Sequence, residues 1–198
     1  MPNDNFILKT ENKNFTIIAR DCVGGILYHQ LGERFLSPTI NLFFTPEDFN
    51  YFCLNLKEYI NCDLIECNES NYPIGILSPI NLRPIKLHFL HYNSFLEAKE
   101  KWDERKKRII YENIFVVSTF CYPVETATYS EQLLANWNKI KFKKVVLVDK
   151  KYGFDNEAVI KKPSECNDYA WLLYSPDTNN LERKVFNDYD FSIFLNNK

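Results

Sequence analysis

Glycine is scarce in this chain, with five in 198 residues, and there is a single methionine. So few glycines exclude a collagen-like or low-complexity chain, and one methionine excludes a methionine-rich recognition groove. No apolar run approaches the ~20 residues of a membrane-spanning helix, so no integral membrane segment is expected. The start, Met1-Pro2-Asn3-Asp4-Asn5, lacks the basic and apolar regions of a secretory signal, and a cytoplasmic location is expected. Neither sign of charge dominates: 24 basic residues stand against 26 acidic ones, a net charge of −2. No global positive field gathers nucleic acid, and no nucleic-acid partner is expected. Zinc-type spacing is missing too. The six cysteines, at 22, 53, 62, 67, 121 and 166, contain no Cys-x-x-Cys. They read as reduced thiols, mostly buried as small hydrophobes.

What is plentiful is apolar and aromatic. Apolar residues make up 45% and aromatics 16%, with 16 Phe and 12 Tyr, a composition that folds rather than stays disordered. The length suits one domain spanning 1–198, with residues 1–14 as a short polar lead-in. Residues 15–20 read as a first strand, residues 23–31 as a helix stopped by Gly32, and residues 40–44 as a second apolar run. Thr45-Pro46-Glu47-Asp48 opens a helix expected to run to about residue 60: a capping hydroxyl, then proline, then acids at the positive end. Further strands are expected at 63–67, 84–90, 113–119, 144–149 and 169–174, with a last element at 191–194. Residues 72–77 read as a connector. Ser94 and Glu97 make a capping box for a helix from 95 to about 109, and residues 130–137 form another. This alternation predicts an α/β fold: three layers, Rossmann-like or flavodoxin-like, around a mostly parallel sheet.

Ligands of such sheets bind outside the carboxyl ends of strands, which points to Asp21-Cys22-Val23-Gly24-Gly25. Cys22 lies between a strand end and a helix start, where amide dipoles are expected to lower a thiol pKa. Asp21 is the carboxylate of the same turn. Gly24 and Gly25 would let backbone amides approach an oxyanion or phosphate. A nucleophile needs a base, and His91, nearest a strand end, is the first choice, then His88. His29 is about two helical turns from Cys22. The bland alternative, a buried Cys22 with core or surface histidines, stays open here.

Lys101, Arg105, Lys106, Lys107 and Arg108 form a basic run whose commoner meaning is a solvated helix face. Arg105, near Trp102, is either a snorkelling side chain or an anion clamp. A phosphate or nucleotide tail, as in coenzyme A or a sugar nucleotide, is the functional reading. The glycine pair is not Gly-x-Gly-x-x-Gly, so NAD is not expected. His88 and His91 lack a third metal ligand at useful spacing. Asp149 reads either as a ligand-side carboxylate or as a turn cap. The only Asp-x-Asp pair is Asp188-Tyr189-Asp190.

Several of these residues carry a resemblance. Asp21-Cys22-Val23-Gly24-Gly25 with Tyr28, Leu31-Gly32, Phe35, Ser37-Pro38-Thr39, Leu42-Phe43-Phe44 and Asp48-Phe49 resembles a bacterial family of unknown function. So does His88-Phe89-Leu90-His91-Tyr92 with Ala98-Lys99, Trp102, Arg105 and Arg108-Ile109. Its members are labelled exopolysaccharide-biosynthesis proteins and usually carry Asn where Asp21 stands. The likeness covers most of residues 15–150. The first turn is also similar to the Asn-Cys turn of a coenzyme-A-binding capsule-biosynthesis family and to the Asp-Ser turn of SGNH esterases, whose Asp-x-x-His this chain lacks. The resemblance implies a role in making or modifying surface polysaccharide and supplies no established catalytic residues. Taken with the residues themselves, the expectation is a transferase with a small-molecule or glycan substrate, associated with polysaccharide assembly enzymes. A coenzyme A thioester is the expected donor, with Gly24, Gly25, Tyr28, Ser37, Thr39, Trp102, Arg105 and Arg108 as binding residues. A glycan- or nucleotide-binding partner without catalysis, and a sugar-nucleotide-dependent glycosyl- or phosphotransferase, are the other readings.

Overall fold

The computed structural model describes residues 8–120, 129–160 and 188–196. Along the chain run β1 (Thr16–Ala19), α1 (Val23–Gln30), α2 (Pro46–Leu54), α3 (Leu56–Asn61), β2 (Ile65–Cys67) and β3 (Ile74–Leu77). They are followed by β4 (Ile85–His88), α4 (Phe95–Lys106), β5 (Ile114–Phe120), α5 (Glu131–Lys139), β6 (Lys143–Val148), β7 (Glu157–Val159) and α6 (Phe191–Asn196). Among the described residues the strands form a parallel sheet in the order β1-β5-β6-β7 and an antiparallel sheet in the order β2-β3-β4.

Alternation along the parallel strands sends side chains to two separate cores. Ile18, Val116, Val146 and Val148 enter one with α2, α3, α4, α5 and the small sheet. Ile17, Ala19, Phe115, Val117, Val145 and Leu147 enter the other with α1 and α6. Both faces are covered, which is why these strands are continuous apolar runs.

Among the described residues β1 pairs with one strand, β5, through bonds such as Thr16 N–H to Asn113 C=O and Arg20 N–H to Val117 C=O. Side chains satisfy its other edge. The Ile17 N–H donates to the Tyr28 hydroxyl at 3.0 Å and the Ala19 N–H to Thr39 Oγ1 at 2.9 Å. Ser37 steadies Thr39 by accepting from its N–H at 3.2 Å. An edge filled in this way cannot template another chain.

The expectation of one mostly parallel sheet is corrected by β2, β3 and β4. Their connectors, residues 68–73 and 78–84, are too short for a parallel crossover of about a dozen residues, so the strands fold back as hairpins. Residues 72–77, read as a connector, thus supply β3. Residues 40–44 bend at Ile40 and Asn41 and, among the described residues, contribute an isolated bridge from Phe43 to His88. The expected long helix breaks at Asn55, whose side-chain amide donates to Tyr51 C=O at 3.1 Å and competes with the helical ladder. The expected strand at 169–174 lies outside the described residues.

Gly24 is fixed by packing. A Cβ there would lie 2.6 Å from Ala19 Cβ, while one at Gly25 would meet Ile40 Cγ2 at 3.6 Å. Gly24→Ala is therefore expected to cost ~1–3 kcal/mol through overpacking, whereas Gly25→Ala is neutral or slightly stabilising. Paired urea titrations check the difference; equal stabilities would show that α1 can lift off β1 freely.

Candidate active site

The turn after β1 is built on two buried charges. Arg20 is 3% exposed and Asp21 1% exposed, and Arg20 Nη2 lies 3.4 Å from Asp21 Oδ2. Thr119, near the end of β5, donates its hydroxyl to Asp21 Oδ2 at 2.6 Å and accepts from Arg20 Nη2. Arg20 Nη1 also donates to Phe44 C=O at 3.2 Å. Asp21 Oδ1 accepts the Val23 N–H at 3.0 Å, so this carboxylate starts α1 as a capping group. Its oxygens are thus turned to the Val23 amide, the Thr119 hydroxyl and the Arg20 guanidinium. Thr119 was missed from the sequence, although a polar residue ending a buried strand is the same signal that singled out Asp149.

Cys22 follows, half-buried, at the N-cap position of α1. Its Sγ lies 3.2 Å from His91 Nε2, within hydrogen-bond distance across 69 residues of sequence. His91 sits on the exposed turn after β4, which closes through Tyr92 N–H to Phe89 C=O at 3.1 Å. The expected low thiol pKa is corrected. Burial pushes the Cys22 thiol up to about 11, the Asp21 charge adds to the rise, and a backbone hydrogen bond only partly opposes them. Desolvation outweighs the helix end, so the resting group is a thiol.

His88 goes elsewhere. Its Nδ1 lies 3.1 Å from the Tyr72 hydroxyl and its ring stacks on Phe43 with centroids 4.4 Å apart. Burial holds its pKa below the ordinary imidazole value. His29 is exposed in the last turn of α1.

The other candidates are mostly brought into the scaffold. Tyr28, Ser37 and Thr39 are buried and finish the edge of β1. Trp102 is buried in the core against Phe52. Arg105 Nη1 donates to the Tyr92 phenol oxygen at 2.7 Å and to Ile40 C=O at 3.4 Å. Arg108 Nη1 donates to Phe35 C=O at 3.2 Å, and Nη2 pairs with Glu104. Both guanidiniums thus hold the chain itself where a donor phosphate was expected. Asp149 accepts from the Tyr152 hydroxyl at 2.8 Å, closing its turn. Asp190 Oδ1 accepts the Ile193 N–H at 2.9 Å, at the start of α6.

A cavity of about 270 Å³ lined by Cys53, Leu56, Ile140 and Phe142 lies at the amino end of β6, away from the Cys22 turn. Among the described residues no group of three or more His, Cys, Asp or Glu is placed to hold a metal ion, and no helix is long and apolar enough to cross a membrane.

The molecule is thus a mixed α/β protein with a Cys–His pair at the carboxyl end of its first parallel strand. The chain belongs to the family described as a domain of unknown function, DUF1919, whose model matches residues 3–196. It is 29% identical over 191 residues to an uncharacterised protein of Haemophilus influenzae, covering 95% of this chain and 87% of that protein.

Proposed function

We propose that the chain is an acyltransferase that works through Cys22, moving an acyl group from a thioester such as acyl-coenzyme A to a hydroxyl, with a surface or exopolysaccharide as the acceptor class. The observation that carries the reading is the 3.2 Å approach of Cys22 Sγ to His91 Nε2. A nucleophile and a base at hydrogen-bond distance beside a helix start are the minimum equipment for acyl transfer. The resemblance to exopolysaccharide-biosynthesis proteins favours the acceptor class. The parallel sheet, read as Rossmann-like, favours a ligand at this end.

Because the thiol is held protonated, His91 must take its proton as the bond to carbon forms. Sγ adds to the thioester carbonyl, the carbonyl electron pair moves to oxygen, and the first-turn amides of α1 at Gly24 and Gly25 face that oxyanion. Collapse breaks the donor C–S bond, and the departing thiolate takes the proton from His91. An acceptor hydroxyl then gives its proton to His91 and attacks the Cys22 thioester. Breaking that C–S bond releases the Cys22 thiolate, which takes the proton from His91 and so restores both the thiol and the neutral imidazole.

Intact-protein mass after incubation with acetyl-coenzyme A tests the reading. A single acetyl adduct is expected in the wild type and none in Cys22→Ala. An unmodified wild type that also gains no thermal stability from coenzyme A sinks it.

A further inference from the structure

His91 reaches Cys22 from an exposed turn: Leu90 beside it is 52% exposed, and His91 itself faces solvent. Such a turn needs an external tie to hold an imidazole at 3.2 Å from a thiol on another element. We infer that Tyr92 and Arg105 are positioning residues for the Cys22–His91 pair, bolting the His91 turn to the Ile40 carbonyl alongside α1. This inference rests on the acyl-transfer reading of that pair.

The tie is continuous from one partner to the other. The Tyr92 ring packs edge-on against Phe89 with centroids 5.6 Å apart, and its hydroxyl donates to Ile40 C=O at 3.1 Å. Arg105 Nη1 donates to both ends of that bond, the phenol oxygen at 2.7 Å and the carbonyl at 3.4 Å. The Arg105 guanidinium lies 5.4 Å from the centroid of the Phe35 ring, which limits its drift. Ile40 in turn abuts α1: its Cγ2 is 3.6 Å from where a Gly25 Cβ would stand. Gly25 is three residues on from Cys22, so both lie towards one side of the helix. The next residue, Asn41, holds a left-handed φ of 60°, a bend that persists when neighbouring bonds over-determine it.

The two ends of this tie differ chemically. Burial keeps the Tyr92 phenol above its ordinary pKa, with Arg105 opposing and Glu97 adding to the rise, so the hydroxyl stays a donor through the neutral range. Around the pair itself, Asp21 acts on Cys22 from the β1 turn with Arg20 paired beside it. Tyr92 and Arg105 bond to each other and to Ile40 C=O, so each acts on the pair through the placement of His91.

The experiment measures acylation of Cys22 by p-nitrophenyl acetate as a function of pH, in the full chain. His91→Ala defines the His91-dependent part of the profile. Tyr92→Phe and Arg105→Leu are expected to lower that part about tenfold, with Arg105→Lys, which keeps a donor for the phenol, retaining more of it. In a His91→Ala background Tyr92→Phe is expected to have little further effect, because the two act as one unit. A His91-dependent profile that survives in full in Tyr92→Phe and Arg105→Leu overturns the inference and leaves the acyl-transfer reading standing. Equal slowing by Tyr92→Phe with and without His91 overturns it as well, since the effect would then run through the fold. Wild-type and His91→Ala profiles that coincide remove His91 as the base, and the acyl-transfer reading goes with it.

Discussion

Asp21→Ala is expected to cost about 4 kcal/mol of folding free energy, the range seen when one partner of a buried ion pair is removed. Arg20 would keep its charge in an interior site, Thr119 would lose an acceptor, and the Val23 N–H would lose its cap. For a chain of this length the melting midpoint should fall by ~10 °C. Asp21→Asn separates charge from hydrogen bonding. The amide oxygen can still accept from Val23, so a smaller loss is expected. The Cys22 thiol should move down from about 11, because the Asp21 charge is the second cause of its rise. Burial, the larger cause, stays, so the thiol should remain above its ordinary value. Urea denaturation reads the first effect and the pH dependence of iodoacetamide alkylation the second. An Asp21→Ala protein as stable as the wild type would show that Arg20 and Thr119 find other partners at no cost.

His91→Ala should slow acylation of Cys22 by about 100-fold or more near neutral pH, a typical loss for a positioned general base. The reason lies in the thiol. With a pKa of about 11, roughly one molecule in a thousand is a thiolate at pH 8, so unassisted attack is slow. As pH rises towards 11 the variant should recover, because hydroxide replaces the missing base. Stability should move in the opposite direction. The folded state holds the Cys22 proton more tightly than the unfolded state, so this contribution is complete below the ordinary value of 9.0 and is lost as pH rises through about 11. Cys53, more deeply buried and raised well above its ordinary value, adds to the same alkaline loss. Single-turnover kinetics and alkaline denaturation curves check both. A His91→Ala rate within a factor of about two of the wild type would dismiss His91 as a base.

Much of the fold was legible because it is written locally. The hydroxyl caps Thr45 and Ser94 each accept the backbone amide three residues on, as their sequence contexts implied, and Ser130 does the same at the start of α5. The apolar runs of β5 and β6 announced burial on both faces. β7 was not legible: its three residues carry too short a pattern, and pairing with β6 supplies the strand.

The site divides along the same line. Length, caps, strand periodicity and the polar turn after β1 are properties of neighbouring residues, so they can be read along the chain. Which histidine meets Cys22 depended on the bend after β4 and on the Ile40 segment that receives Tyr92, contacts between residues far apart in the chain. The fate of Arg105 and Arg108 was decided in the same way, by loop carbonyls that only packing brings within reach. The thiol pKa was decided by tertiary structure too. A helix start favours the thiolate and is visible in sequence, but desolvation opposes it and is set by how completely the surrounding elements close over Cys22.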